Sequence, residues 1–184
     1  MLSVERSISC PLACKRTAGR LTSVLLWATV ILAAVLRLFW LQYGEYQWDD
    51  DSIWSAAASA VAHHQLPNQG IASTIGVPNG PFQVYLMMPL AAITHAPLAG
   101  MILIALLNTA AVYFLYRFVA EFFGQRPALI AALLFAVSSW AVIYSRHLAV
   151  QGMLIPFQVL FFWSLARWLA YGRGRDLVLA FLWL

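Results

Sequence analysis

Long apolar stretches separated by short polar breaks run along this chain from residue 21 to its last residue. A helix needs about 20 apolar residues to cross the hydrocarbon of a bilayer. Four stretches meet or approach that length: residues 21–41, 97–119, 127–144 and 150–169. A fifth begins at Leu177 and reaches only Leu184, so it reads as a truncated span. Phe82 to Thr94 is apolar as well, but it is 13 residues long and contains Pro89. It predicts a re-entrant or juxtamembrane helix.

Residues 42–81 form the longest polar stretch. Ser52 to His63 predicts a modest amphipathic helix, with Ile53, Trp54, Ala57 and Val61 on one face and Ser52, Ser55, Ser59 and His63 on the other. Asp49, Asp50 or Asp51 is the predicted cap. Pro67, Gly70, Gly76, Pro78, Gly80 and Pro81 then make 65–81 a turn-rich loop. The predicted fold is therefore all-α: a polytopic transmembrane protein, with residues 1–20 as a basic N-terminal segment and 21–184 as the membrane domain.

Composition excludes the soluble alternative. The 184 residues are 62% hydrophobic and 10% charged, against roughly 25% charged in a soluble chain, and the mean hydropathy is +0.78. Disorder is excluded on the same ground. The net charge of +4 does not point to nucleic acid, because the basic residues lie between apolar runs rather than on one face. Cys10 and Cys14 precede the first run with no second ligand pair nearby, which reads as two free thiols rather than a metal site. The basic start could open a signal peptide, but the run continues through Arg37, Leu38, Phe39 and Trp40 without a small-residue cleavage pattern. It reads as an anchor.

Charge also sets an orientation. With the N-terminus cytoplasmic and 82–94 not spanning, nine of the eleven basic residues are cytoplasmic and only Arg37 and Arg146 lie outside. Trp40, Trp48, Trp54 and Trp140 then fall near the outer interface, and Trp163 and Trp168 near the inner one. The chain is expected in the cell (inner) membrane as a multi-pass protein. The outer face carries Glu45 and the run Asp49-Asp50-Asp51 against Arg37 and Arg146, a net charge of −2.

Capping is the plainest use for aspartates at a helix start. This run, however, supplies almost all the outer acid and sits beside an apolar wall, a setting in which a carboxylate can act as proton acceptor. Arg146 and His147 end a span at the same membrane level. They read either as snorkelling interfacial residues or as a cationic clamp, since guanidinium matches phosphate geometry. His63 and His64 are adjacent, so they point to different sides of a helix and read as surface residues.

Several motifs in order resemble one family. Leu36-Arg37-Leu38 ends the first span, Trp48-Asp49-Asp50-Asp51 opens the outer loop, and Gly80-Pro81 leads into a short apolar helix. Phe123-Gly124-Gln125-Arg126-Pro127-Ala128 follows as a cytoplasmic turn, then Ser138-Ser139-Trp140 through Tyr144-Ser145-Arg146 as an outer corner, then Leu154-Ile155-Pro156-Phe157. Over residues 21–175 the chain resembles the GT-C membrane glycosyltransferases, in particular the protein-mannosyltransferase-like family 39 and its bacterial members.

The resemblance implies a transferase that takes a sugar from a polyprenyl-phosphate-linked donor. The acceptor hydroxyl would belong to a glycan, lipid or protein, and transfer would invert the anomeric centre on the extracytoplasmic face. It implies Asp50 as the catalytic base and Asp51 in the place where the family has glutamate. The family has Asp-Glu where this chain has three aspartates, so Asp49 remains the alternative base. Arg146 and His147 are the implied substrate-binding residues. The bilayer is a partner and nucleic acid is not. No cofactor is implied; a divalent metal beside paired aspartates is the less favoured alternative.

Family members are far longer, so the chain resembles their N-terminal part and is expected to be inactive alone. A multi-pass transporter is the rival reading. Transporters place ionisable groups near the bilayer midplane, whereas Arg37, Arg117, Glu121, Arg146 and Arg167 lie near span ends. A non-catalytic membrane subunit is the other alternative.

Overall fold

A computed structural model describes residues 12–43, 47–72 and 76–184, with side chains from Arg20 onward. Cys10 and Glu45 lie outside the described residues, and so does the side chain of Cys14. Among the described residues eight α-helices follow one another: α1 Leu12–Leu38, α2 Trp48–Ala62, α3 Phe82–Ala91, α4 Leu98–Phe123, α5 Gln125–Val137, α6 Ser139–Tyr144, α7 Val150–Tyr171 and α8 Gly174–Trp183. The only pairing outside helices among the described residues is an antiparallel bridge between Ala72 and Pro78. The protein is all-α.

Among the described residues three stretches are long and apolar enough to cross a membrane: Arg20–Tyr43, Leu98–Phe123 and Val150–Tyr171. Many of their large side chains stay outside the core, Leu21, Trp27, Ile31, Leu106 and Phe162 among them. In water such a surface would drive aggregation, whereas in lipid it is solvated.

The stretch 127–144 differs from its expectation as one span. The helix stops at Val137, Ser138 turns extended at φ −58° and ψ 118°, and α6 starts again at Ser139. The physical reason lies on α1. Arg37, fully buried, donates from Nη1 to the carbonyl of Ala136 at 3.1 Å and from Nη2 to that of Phe135 at 3.3 Å. Those carbonyls would otherwise accept from the N–H groups of residues 139 and 140 in a continuing helix. A cation at a helix C-terminus also complements the dipole there.

The same device holds α1. Arg146, just after α6, donates to the carbonyls of Leu36 at 3.1 Å, Phe39 at 3.0 Å and Trp40 at 3.3 Å. Trp40 takes a left-handed φ of 55°, as residues closing a helix often do.

Two cores result. Leu26 and Ala33 of α1 pack with Val112 and Tyr116 of α4 and with Ala128, Ala132 and Ala136 of α5. The alanine stripe lets the α5 backbone come close, the usual solution where helices pack in lipid. The second core gathers Ile53, Trp54 and Ala57 of α2, Val84 and Met87 of α3, Met101 and Ile104 of α4, and Leu148 and Met153 at the start of α7. Trp54, expected at the outer interface, belongs to this core.

The α2 and α3 helices therefore sit together over one end of the bundle. Ten residues of α3 make a rod about 15 Å long at 1.5 Å per residue, half the hydrocarbon thickness. At the opposite end, Trp163 donates its indole N–H to Glu121 at 2.8 Å, and Arg167 lies 3.7 Å from Glu121 and 3.5 Å from Asp176.

Candidate functional site

The predicted site begins at the first turn of α2. That helix starts four residues earlier than the amphipathic pattern suggested, so none of the three aspartates is its cap; Gln47 is. Asp50 becomes the third residue of the helix, and its Oδ2 accepts from the backbone N–H of Gln47 at 2.8 Å. That is one half of a capping box, and it explains why an acidic run opens this helix. Burial follows the expected faces: Ile53, Trp54 and Ala57 are inside, while Ser55, Ser59, His63 and His64 are exposed.

The three carboxylates differ sharply in setting. Asp49 is half-buried, Asp51 is exposed, and Asp50 is fully buried. Asp50 is tied to the corner between α6 and α7. Its Oδ2 lies 2.9 Å from Nδ1 of His147, and its Oδ1 accepts from the backbone N–H of Leu148. A carboxylate only accepts, so Nδ1 of His147 is the donor of this pair, and in the neutral form of the ring that tautomer puts the lone pair on Nε2. The His147 side chain keeps 16% of its exposure while Asp50 keeps none. Any group arriving from outside reaches the imidazole before the carboxylate.

Arg146 and His147, adjacent in sequence, point to different work. His147 meets Asp50, whereas Arg146 spends three hydrogen bonds on the end of α1. A guanidinium has five N–H donors, so Nε–H and one Nη2 hydrogen remain for another partner. Ser145, also buried, closes the corner by donating to the carbonyl of Val142 at 2.7 Å. Asp49 and Asp51 meet no hydrogen-bond donor among the described residues, and no three His, Cys, Asp or Glu side chains converge there.

Two residues of this end escaped sequence reasoning. Asn108, fully buried on α4, donates to the carbonyl of Gly152 on α7 at 2.8 Å. A Cβ at Gly152 would overlap the carbonyl oxygen of Tyr144, so a glycine is needed where the α6–α7 corner crosses α7. Gln83, at the start of α3, is also buried, and its Nε2 has no partner among the described residues. The available signal was a lone amide inside an otherwise apolar run.

A family model described as dolichyl-phosphate-mannose-protein mannosyltransferase matches residues 78–184, more than half of the chain. The match takes in Gln83, Arg146 and His147 and leaves the Asp49–Asp51 run outside it. No curated protein and no solved structure matches the chain.

Proposed function

The chain belongs to the dolichyl-phosphate-mannose-protein mannosyltransferase family, a membrane glycosyltransferase family of the GT-C type, and on that premise we propose its reaction and its base. A sugar passes from a polyprenyl-phosphate-linked donor to an acceptor hydroxyl of a glycan, lipid or protein, with inversion at the anomeric carbon. The site faces the extracytoplasmic side of the cell membrane and the N-terminus is cytoplasmic. The basic residues outside the Asp50 end support that orientation.

The observation that carries the reading is the contact between Asp50 and His147 at 2.9 Å. In the proposed step the acceptor oxygen bonds to the anomeric carbon while the bond from that carbon to the lipid phosphate breaks. The phosphate leaves as an anion and needs no proton. The acceptor hydroxyl does lose one, and a base must take it. Asp50 acts with His147 as a unit: the imidazole Nε2 receives the proton, and the buried carboxylate fixes the tautomer and balances the imidazolium. Arg146 offers its charge and its remaining N–H groups to the leaving phosphate.

The test is transfer from a polyprenyl-phosphate sugar by membranes containing the protein, measured at saturating donor. Asp50→Asn should lower turnover by about 10²–10⁴, the usual worth of a general base, while Asp49→Asn and Asp51→Asn lower it less. Near-normal turnover in Asp50→Asn with loss in Asp49→Asn would move the essential carboxylate by one residue. Near-normal turnover in both would defeat the reading.

A further inference from the structure

Between α7 and α8, at the end of the bundle away from Asp50, lies a cleft of about 380 Å³. Leu160, Ser164 and Arg167 line it from one face of α7, and Arg175, Leu179 and Trp183 from one face of α8. Both walls run the same way, with arginine outermost and apolar side chains further in. The helix from Arg167 to Leu160 covers about 10 Å of depth at 1.5 Å per residue. The cleft is cationic at its mouth and apolar at its floor.

One buried carboxylate builds the mouth. Asp176 is 2% exposed, and its Oδ1 lies 3.5 Å from Nε of Arg167 and 4.0 Å from Nε of Arg175. Two guanidinium groups are thus held side by side, with their Nε atoms toward Asp176 and their forked ends farther from it. Arg167 also lies 3.7 Å from Glu121 and over the Trp163 ring. Even so, neither arginine makes a hydrogen bond among the described residues, and their side chains keep 27% and 68% of their exposure. Ser164 is 9% exposed. A helical serine can bond the carbonyl four residues back, but this hydroxyl has no partner among the described residues and is not sealed from solvent.

Open guanidinium forks beside a free hydroxyl suit an anion with several oxygens, and phosphate is the group whose geometry they match. Asp176 lies beneath the arginines and Glu121 does not line the cleft, so neither carboxylate occupies the place of that anion. The surrounding charge acts in the same sense. Arg20, Arg117, Arg126, Arg167, Arg173 and Arg175 gather at this end against Glu121 and Asp176. The floor decides where the phosphate comes from. A soluble anion makes no use of Leu160, Leu179 and Trp183, whereas a phospholipid carries acyl chains directly below its phosphate.

We propose that the α7–α8 cleft seats one anionic phospholipid, with its phosphate on Arg167, Arg175 and Ser164 and its first acyl carbons on Leu160, Leu179 and Trp183.

The experiment is native mass spectrometry of the purified chain, released from nanodiscs that hold phosphatidylglycerol and phosphatidylcholine in equal amounts. One phosphatidylglycerol should be retained per chain, with about tenfold preference over phosphatidylcholine, the scale expected of two arginines at an anionic headgroup. Arg175→Gln should weaken retention about tenfold, the worth of one charge-assisted hydrogen bond. Its side chain is mostly exposed, so thermal unfolding should stay near the parent's. Arg126→Gln removes an exposed arginine of the same end that does not line the cleft, and it should leave retention unchanged. Glycerophosphoglycerol, the headgroup without its chains, should compete poorly.

Equal retention of the two lipids overturns the proposal, as does retention indifferent to Arg175→Gln. An equal loss in Arg126→Gln overturns it too, since that marks diffuse attraction to a basic surface. Competition by glycerophosphoglycerol or inorganic phosphate as strong as that of the intact lipid would mark a site for soluble anions instead.

Discussion

Arg37 Nη1 stands 3.1 Å from the carbonyl oxygen of Ala136, a contact between residues 99 positions apart. It is answered by Arg146, which holds the end of α1 in the same manner. The end of α5 is closed by an arginine of α1 and the end of α1 by an arginine that follows α6, which makes the two corners one unit.

Arg37→Leu should therefore be among the more damaging single changes. It removes a charged donor from carbonyls that are sealed from water, at about 1–3 kcal/mol for each buried acceptor left unpaired. Arg37→Lys should fall between, because an ammonium cannot fork to two carbonyls in a fixed plane. Denaturant unfolding in detergent micelles measures both. Equal stability of Arg37→Leu and the parent protein would refute the capping account.

His147 separates brace from base. In His147→Gln the amide can still donate to Asp50, so the corner should keep most of its stability, but it cannot take up a proton near neutrality. Turnover should drop by about 10²–10⁴ with thermal unfolding nearly unchanged. If turnover survives in His147→Gln and falls only in His147→Ala, the side chain is a brace and the proton goes elsewhere.

The orientation is open to a labelling test. A single cysteine placed at Gln69, in the exposed loop before α3, should react with an impermeant thiol reagent added to intact cells. One placed at Gln125, at the α4–α5 turn, should react only after the membrane is permeabilised. The reverse pattern would invert the topology.

Gly152→Ala should destabilise the α6–α7 corner by about 1–3 kcal/mol, the range for overpacking. The added methyl meets the backbone oxygen of Tyr144 rather than a movable side chain, and relief would pull the Gly152 carbonyl from Asn108. An unfolding midpoint equal to the parent's would show that the corner can shift without loss.

Much of the fold was legible because long apolar runs leave few alternatives in lipid. The helices α1, α4 and α7 follow directly from that rule, and the two-faced pattern of Ile53, Trp54 and Ala57 against Ser55 and Ser59 named the buried side of α2. The break at Ser138 was less legible. Its local signal is only a serine pair, and its cause is an arginine almost a hundred residues earlier.

The site was half legible for the same reason. Asp50 and His147 could each be singled out by type and membrane level, but their pairing is a tertiary contact across 97 residues. The three hydrogen bonds from Arg146 to the end of α1 had no signal in the sequence, because which carbonyls need a donor is decided by the tertiary fold. Gln83 was hidden because one amide scarcely alters the hydropathy of the segment around it.

The crossed arginines also constrain the order in which the protein can be made. Arg37 enters the membrane long before Phe135 and Ala136 have been synthesised, with the carbonyl of Ala33 as its partner in its own helix. An arginine is penalised by about 2.5–3.5 kcal/mol at the centre of a spanning helix on insertion scales, and less near the helix end where Arg37 stands. Until α5 arrives, the first helix is held with its charged end drawn toward the polar interface or sheltered by the insertion machinery. Its final depth is reached only on that later event. Force measurements on stalled nascent chains should register a second inward pull as α5 enters, and Arg37→Leu should erase it.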